Sequence, residues 1–179
     1  MENKELCELM ERIKNGDNDA FASLYNELSK FVYTVSLNIL HDGFLAEDCV
    51  HDTFLHIKNS APRFEKDRNV KSWVFAIARN VSLTLYKTQK RSVLLDDEIV
   101  QTFSVDDFAD KSDTAILMRQ IIASLKEKDR EIILMHLSEG MKFREIAEAL
   151  DMPLGTVIWR YNYILSKLRK RIDLEGVSK

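Results

Sequence analysis

The chain is predicted to be all-α, with two helical domains joined by an acidic linker. Three observations carry that expectation. Apolar residues recur at three- and four-residue intervals along most of the sequence, and no stretch shows the alternation of a half-buried strand. Five Gly and two Pro in 179 residues point to helices and away from turn-rich β structure. Charge is also uneven. Residues 1–91 hold thirteen acids and thirteen bases, residues 92–113 hold seven acids against Lys111 alone, and residues 114–179 hold nine acids and twelve bases. Helical period fails over the acidic stretch, so the expected division is a domain over 1–91, a linker over 92–113 and a second domain over 114–179.

In the first domain, Leu6, Leu9, Met10 and Ile13 share one side of a helix over 3–14. Asn15-Gly16-Asp17 stops it, and Asp17 or Asn18 can cap the next. Phe21, Leu24, Tyr25, Leu28, Phe31, Val32, Val35 and Ile39 keep the period to about Leu40, where His41-Asp42-Gly43 closes the helix. A third helix runs from Ala46 to Lys58, burying Val50, Phe54 and Ile57 and leaving Asp48, His51, Asp52 and Leu55 on its other side. A polar loop with Pro62 covers Asn59 to Asn69.

The fourth helix spans about Val70 to Lys90. Its expected core side is Val74, Ile77, Ala78, Val81 and Leu85. Phe75, Arg79, Leu83, Tyr86 and Lys90 fall opposite, flanked by Asn80, Lys87 and Arg91. Rings interleaved with cations suit single-stranded nucleic acid, whose bases stack on the rings while the cations follow the phosphates. The alternative is that Phe75, Leu83 and Tyr86 pack against another helix, because large apolar groups rarely stay bare.

In the second domain, Ile116, Met118, Ile121, Ile122 and Leu125 form one helix. Asp129 is expected to cap another that carries Ile132, Ile133, Met135, His136 and Leu137 and ends at Gly140. Phe143, Ile146, Ala147 and Leu150 then line a short helix, broken by Asp151, Met152 and Pro153. A longer helix restarts near Leu154 or Gly155. At about 100° per residue, Leu154, Val157, Ile158, Tyr161, Ile164, Leu165 and Leu168 share one face, and Thr156, Trp159, Arg160, Tyr163, Lys167 and Lys170 share the other. No acid falls between Asp151 and Asp173. This is the pattern of a helix-turn-helix whose second helix enters the DNA major groove. A plain helical hairpin with a solvated basic face is the alternative.

Other chemistry is thinly represented. A net charge of -3 excludes a uniformly basic coat, so a polyanion would be met by local patches. Cys7 and Cys49 are too few for a disulfide framework and lack metal-ligand spacing, as in a reduced, cytosolic protein. The N-terminus lacks the apolar core of a signal peptide, and no run approaches the roughly twenty apolar residues of a membrane span. His51-Asp52, near His41 and His56, resembles the pair of metal phosphohydrolases, but adjacent helical residues point about 100° apart. The remaining histidine, His136, belongs to the other domain. No phosphate loop or nucleophile elbow occurs, so no catalytic residue, metal or cofactor is expected.

Taken together, the chain resembles the extracytoplasmic-function (ECF) sigma factors of bacterial RNA polymerase over about residues 16–172. The matching residues in the first half are Phe21 with Leu24-Tyr25, Ala46-Glu47-Asp48, Phe54-Leu55, Trp73, Ile77-Ala78-Arg79-Asn80 and Lys90-Arg91. In the second half they are Leu125, Arg130, Glu139-Gly140, Glu145-Ile146-Ala147, Gly155-Thr156-Val157, Arg160 and Leu168-Arg169. Their order and spacing are more specific than any motif alone.

The resemblance implies a cytoplasmic protein without catalytic activity, cofactor or membrane contact of its own. It would dock on core RNA polymerase through Asp48, His51 and Asp52. It would open and read single-stranded -10 promoter DNA through Phe64, Lys66, Arg68, Lys71, Trp73, Arg79, Asn80, Lys87, Lys90 and Arg91. It would read the -35 duplex through Thr156, Trp159, Arg160, Tyr163, Lys167 and Lys170, with Glu145 the intramolecular rival for Arg160. The linker would thread toward the active-site channel, and an anti-sigma factor is an expected partner.

Several positions depart from the family pattern. His51 stands for a usual Gln, Thr84 and Lys87 for Asp and Arg, Ile158-Trp159 for Lys-Ser, and Tyr163 for Arg. The -35 contacts should therefore be more aromatic and less cationic than is usual. The competing function is a helix-turn-helix regulator with a helical sensing domain, which would need neither the fourth-helix face nor the acidic linker.

Overall fold

The computed structural model describes residues 1–93, 124–138 and 140–174, without the side chains of 90–93, 138 and 171–174. Every regular element among the described residues is helical. The chain divides into two compact units, Met1–Thr102 and Phe103–Lys179. The acidic stretch beyond Val93 and the helix expected through Ile116, Met118, Ile121 and Ile122 lie outside the described residues.

The first unit comprises α1 (Asn3–Lys14), α2 (Asn18–Leu40), α3 (Gly43–Ser60), a 3-10 turn (Ala61–Arg63) that takes up Pro62, and α4 (Val70–Val93). Gly16 supplies the positive φ of +83° between α1 and α2. Asp17 caps α2, its Oδ1 accepting from the backbone N–H of Asp19 and Ala20 at 2.9 and 3.0 Å. The Ala20 bond, with the Arg12 side chain, holds this carboxyl below its ordinary range.

α3 is longer than the sequence suggested. His41 ends α2 in the left-handed region, and Asp42 caps α3 by accepting from the Leu45 N–H at 3.0 Å. Gly43, expected as a helix stop, is thus the first residue of the next helix.

α4 is rotated from its expected setting. Phe75, placed outside by the sequence pattern, is 1% exposed and stacks on Phe31 with centroids 6.5 Å apart. The buried stripe is Val70, Val74, Phe75, Ala78 and Ser82, while Ile77, Val81 and Leu85 are only half-buried. Ser82 is the reason. Its hydroxyl donates to the Ala78 carbonyl at 2.8 Å and lies 3.2 Å from both Ser36 Oγ of α2 and Cys49 Sγ of α3. Small groups here let three helices converge, and their polar atoms satisfy one another.

The second unit comprises α5 (Glu127–Ile133), a π-helical turn (Leu134–Ser138), α6 (Phe143–Ala149) and α7 (Leu154–Leu174). The N-cap of α5 is Lys126, not Asp129. Asp129 sits inside the first turn, where the helix dipole favours an acid, and its carboxylate is taken by Arg160 of α7 at 2.5 Å. Gly140 turns the chain at φ +63°. Ile132, Ile133, Met135, Met141, Ile146, Val157, Ile164 and Leu168 form the core.

Candidate nucleic-acid and polymerase-binding surfaces

On α3, the buried side is Ala46, Cys49, Val50, Thr53, Phe54 and Ile57. That leaves Asp48, His51 and Asp52 exposed and contiguous at i, i+3 and i+4. Two apolar groups extend it along the same helix, Leu55 as the sequence pattern implied and Phe44 beyond the helix start expected there. Phe44 is 84% exposed one turn before Asp48, and Leu55 is 46% exposed one turn after His51. The surface is therefore a short acidic band with an apolar group at each end.

The loop before α4 is held by α1. Asn3 Oδ1 accepts from the Val70 N–H at 2.8 Å, and Cys7 Sγ lies 3.7 and 3.8 Å from the Lys66 and Arg68 carbonyls. Burial pushes the Cys7 thiol up, which keeps it a donor and lowers its reactivity. Asn69 starts α4, its Oδ1 accepting from the Ser72 N–H at 2.9 Å. Asn3 and Cys7 were not legible as contributors, because their partners are backbone atoms some sixty residues away in sequence.

Of the residues expected to meet -10 DNA, Lys66, Arg68, Asn80 and Lys87 are exposed, and Lys71, Trp73 and Arg79 are half-buried. Arg68 Nε bonds Glu65 Oε2 at 2.9 Å. The side chains of Lys90 and Arg91 lie outside the description. Phe64 is a correction. It is 3% exposed, packs edge-on against Trp73 at 5.1 Å and lies under Lys14 Nζ at 5.9 Å. It shapes the loop and presents no face to a base. The outward side of α4 is instead Trp73, Ala76, Asn80, Thr84 and Lys87, a narrower and more polar strip than the sequence implied.

The helix-turn-helix is braced by an aromatic trio. His136 stacks on Phe143 at 4.3 Å and meets Tyr161 edge-on at 4.8 Å, with Phe143 and Tyr161 4.9 Å apart. His136 Nδ1 also lies 2.8 Å from the Met141 carbonyl. The last histidine thus ties the π turn to α6 and α7. Among the described residues, no group of His, Cys, Asp and Glu is placed to hold a metal ion.

In the connection between α6 and α7, Asp151 takes φ +50°, a conformation short polar residues tolerate. The Pro153 carbonyl then accepts from Thr156 and Val157 at 2.9 and 3.2 Å, launching α7.

α7 buries Val157, Ile164 and Leu168, with Tyr161 and Leu165 packed beside them. Leu154 and Ile158, expected on that side, are 38% and 36% exposed. Outward stand Trp159, 63% exposed, and Tyr163, 44% exposed. Their rings lie 5.5 Å apart and nearly parallel at 9°, and Lys167 Nζ sits 4.7 Å from the Tyr163 centroid.

Thr156 is half-buried, while Lys167 and Lys170 are exposed. Arg160 is on the flank, paired with Asp129, so the intramolecular partner is not Glu145. The Glu145 carboxylate accepts from the Lys142 N–H at 2.8 Å at the start of α6.

Among the described residues, one unit is a set of four helices with an exposed acidic band on α3, and the other is a helix-turn-helix whose second helix carries no acid from Leu154 to Lys170. Sigma-70 region 2 matches residues 24–92, and Sigma-70, region 4 matches residues 115–157. The ECF RNA polymerase sigma factor SigW of Bacillus subtilis is 24% identical over 176 residues, covering 91% of this chain and 94% of its own. RNA polymerase sigma factor CarQ of Myxococcus xanthus is 26% identical over 176 residues, covering 90% and 94%. In fold, the chain is similar to the sigma factor RpoE of Bartonella quintana, solved with the anti-sigma factor NepR (TM-score 0.71, 20% identity, 89% and 98% covered). It is also similar to CnrH, solved with the cytosolic domain of CnrY (TM-score 0.68, 20% identity, 94% and 97% covered).

The chain belongs to the ECF family of RNA polymerase sigma factors. It is a transcription initiation factor, and the region 2 match over α2 to α4 disfavours a regulator with a sensing domain. No helix among the described residues is long and apolar enough to cross a membrane.

Proposed function

We propose that this sigma factor docks on core RNA polymerase through Asp48, His51 and Asp52 of α3, reads opened -10 DNA along α4 and its preceding loop, and reads duplex -35 DNA with α7. The observation that carries the reading is the pairing, in one chain, of the exposed acidic band on α3 with an α7 that carries no acid from Leu154 to Lys170. Residues 1–91 act as the docking and -10 module, 92–113 as an acidic linker that nucleic acid displaces from its path, and 114–179 as the -35 module.

At -10, Asn80, Lys87 and Trp73 are the outward groups of α4, with Arg79, Lys71, Lys66, Arg68, Lys90 and Arg91 supplying charge. At -35, Thr156, Trp159, Arg160 and Tyr163 face the groove, and Lys167 and Lys170 lie further along, where phosphates are the fitting targets. The protein works in the cytoplasm without enzymatic activity of its own. An anti-sigma factor restrains it, a reading supported by the sigma factor RpoE of Bartonella quintana, similar in fold and solved with the anti-sigma factor NepR.

The test is transcription from a genomic promoter library by core polymerase with and without the protein. A defined set of promoters should depend on it. Replacing Asp48, His51 and Asp52 together with Ala should weaken co-purification with core polymerase about tenfold or more, as loss of a central charged cluster does, with helical content unchanged. Unaltered co-purification would remove α3 from the docking surface.

A further inference from the structure

We propose that the stacked pair Trp159–Tyr163 reads thymine through its 5-methyl group, so that the -35 element of this sigma factor is selected by apolar contact at one or two thymines. The proposal rests on the -35 assignment of α7 and specifies what that helix recognises.

The observations are local to α7. Its outward surface carries two large rings, Trp159 at 63% and Tyr163 at 44% exposure, and Leu154 and Ile158 beside the core arc are also exposed, at 38% and 36%. All lie in the first ten residues of the helix, the part that sits deepest in a major groove. The one cation there, Arg160, already has a carboxylate partner in Asp129. Beyond the remaining N–H groups of that guanidinium, a groove-reading surface made this way has few donors to offer guanine or phosphate. What it offers is apolar area.

The geometry narrows the choice of ring. Tyr163 has Trp159 one turn before it and Lys167 one turn after, each in ring contact with it. Its faces are engaged, and its edge and hydroxyl remain. Trp159 is the more exposed of the two. Stacking fixes its indole before DNA arrives, which reduces the ordering lost on binding. In the major groove, the one base-edge group that rewards an apolar surface is the thymine methyl.

A protein partner could also use exposed rings, since Trp and Tyr are common interface anchors. The charge around the pair favours DNA. Lys167, Arg169 and Lys170 follow it on the same helix, and no acid lies between Asp151 and Asp173.

The experiment uses the full chain assembled with core polymerase and promoter duplexes recovered from the library. Each -35 thymine is replaced in turn by deoxyuridine, which removes only the methyl. Affinity should fall about fourfold at one or two positions, the value of one buried methyl-sized group. Elsewhere it should be unchanged. With Trp159→Ala, thymine and deoxyuridine should become equivalent at those positions, and Trp159→Phe should restore part of the difference.

If no deoxyuridine position matters while a scrambled -35 still weakens binding, the methyl reading is overturned and the -35 role of α7 stands. If scrambling has no effect, the -35 assignment itself falls. If Trp159→Ala instead weakens assembly with core polymerase and leaves DNA discrimination intact, the pair is a protein-docking surface and the proposal is wrong.

Discussion

α4 and α7 are helices of 24 and 21 residues, each turned toward nucleic acid in our reading, and they dispose of their rings in opposite ways. In α4, Phe75 points into the core and the outward strip is mostly polar. In α7, Trp159 and Tyr163 point out over an aliphatic core of Val157, Ile164 and Leu168. The difference follows from what each helix packs on. α4 is contacted by α1, α2 and α3, which together cover more than one side of it. Among the described residues, α7 is contacted by α5 and α6. A ring on an amphipathic helix is thus no marker of a nucleic-acid surface. Whether neighbouring helices cover it decides whether it is core or surface.

The largest expected effect tests that contrast directly. Phe75→Ala should destabilise the first unit by about 3–5 kcal/mol, because the ring is fully buried against Phe31 and its loss leaves a cavity. Trp159→Ala should change stability by less than about 0.5 kcal/mol, as exposed substitutions do. Urea denaturation of both variants separates them. A Phe75→Ala protein as stable as the parent would return that ring to the outer surface and break the comparison.

Sequence periodicity located most of the described helices because each carries a continuous apolar stripe. It failed where the stripe is interrupted by small or polar core groups. On α4 the buried Ser82 reads as a surface residue, so the inferred face slid toward Ile77, Val81 and Leu85 and turned Phe75 outward. The caps misled by one residue class: Asp42 and Gly43 resemble a stop yet begin α3, and Asp129 resembles a cap yet serves Arg160. For the candidate sites, the exposure of Asp48, His51 and Asp52 was legible because it needs only the α3 period. The burial of Phe64 was not, since it depends on Trp73 and on Lys14 of α1. Nor was the Trp159–Tyr163 stack, which is a choice of rotamers.

A smaller effect sharpens the role of Arg160. Its side chain is 30% exposed and its partner Asp129 13%, so the pair is half-shielded. Removing either end should lower stability by about 1 kcal/mol. One guanidinium nitrogen is engaged by Asp129, and the fork has further donors for a base or phosphate. In our reading Asp129 orients Arg160 toward DNA. Arg160→Ala and Asp129→Ala should then lose the same step of -35 discrimination, about 1 kcal/mol at one base pair, and the double variant should lose little more. Binding selections on all three variants provide the check. If stability falls while base preference stays intact in both single variants, the pair is structural only.

The smallest effect concerns Gly155, the second residue of α7. A Cβ built there meets nothing within 4 Å, and its φ does not require glycine. The fold alone therefore gives no reason for glycine, and Ala should raise stability by about 0.5–1 kcal/mol through a less flexible unfolded chain. Its place in the first turn suggests a different constraint, because backbone N–H groups at a helix start can approach a phosphate closely only where no side chain intervenes. Gly155→Ala should thus melt slightly higher yet bind promoter duplex more weakly, with the loss spread evenly over -35 sequences, as for a phosphate contact. The same substitution at Gly140 should act in reverse. Its φ of +63° strains alanine, so stability should fall while DNA affinity per folded molecule is kept. Thermal melts and duplex titrations on the two variants give opposite signs if glycine serves contact at one site and conformation at the other. Matching signs would mean that the scaffold, and not DNA, governs both positions.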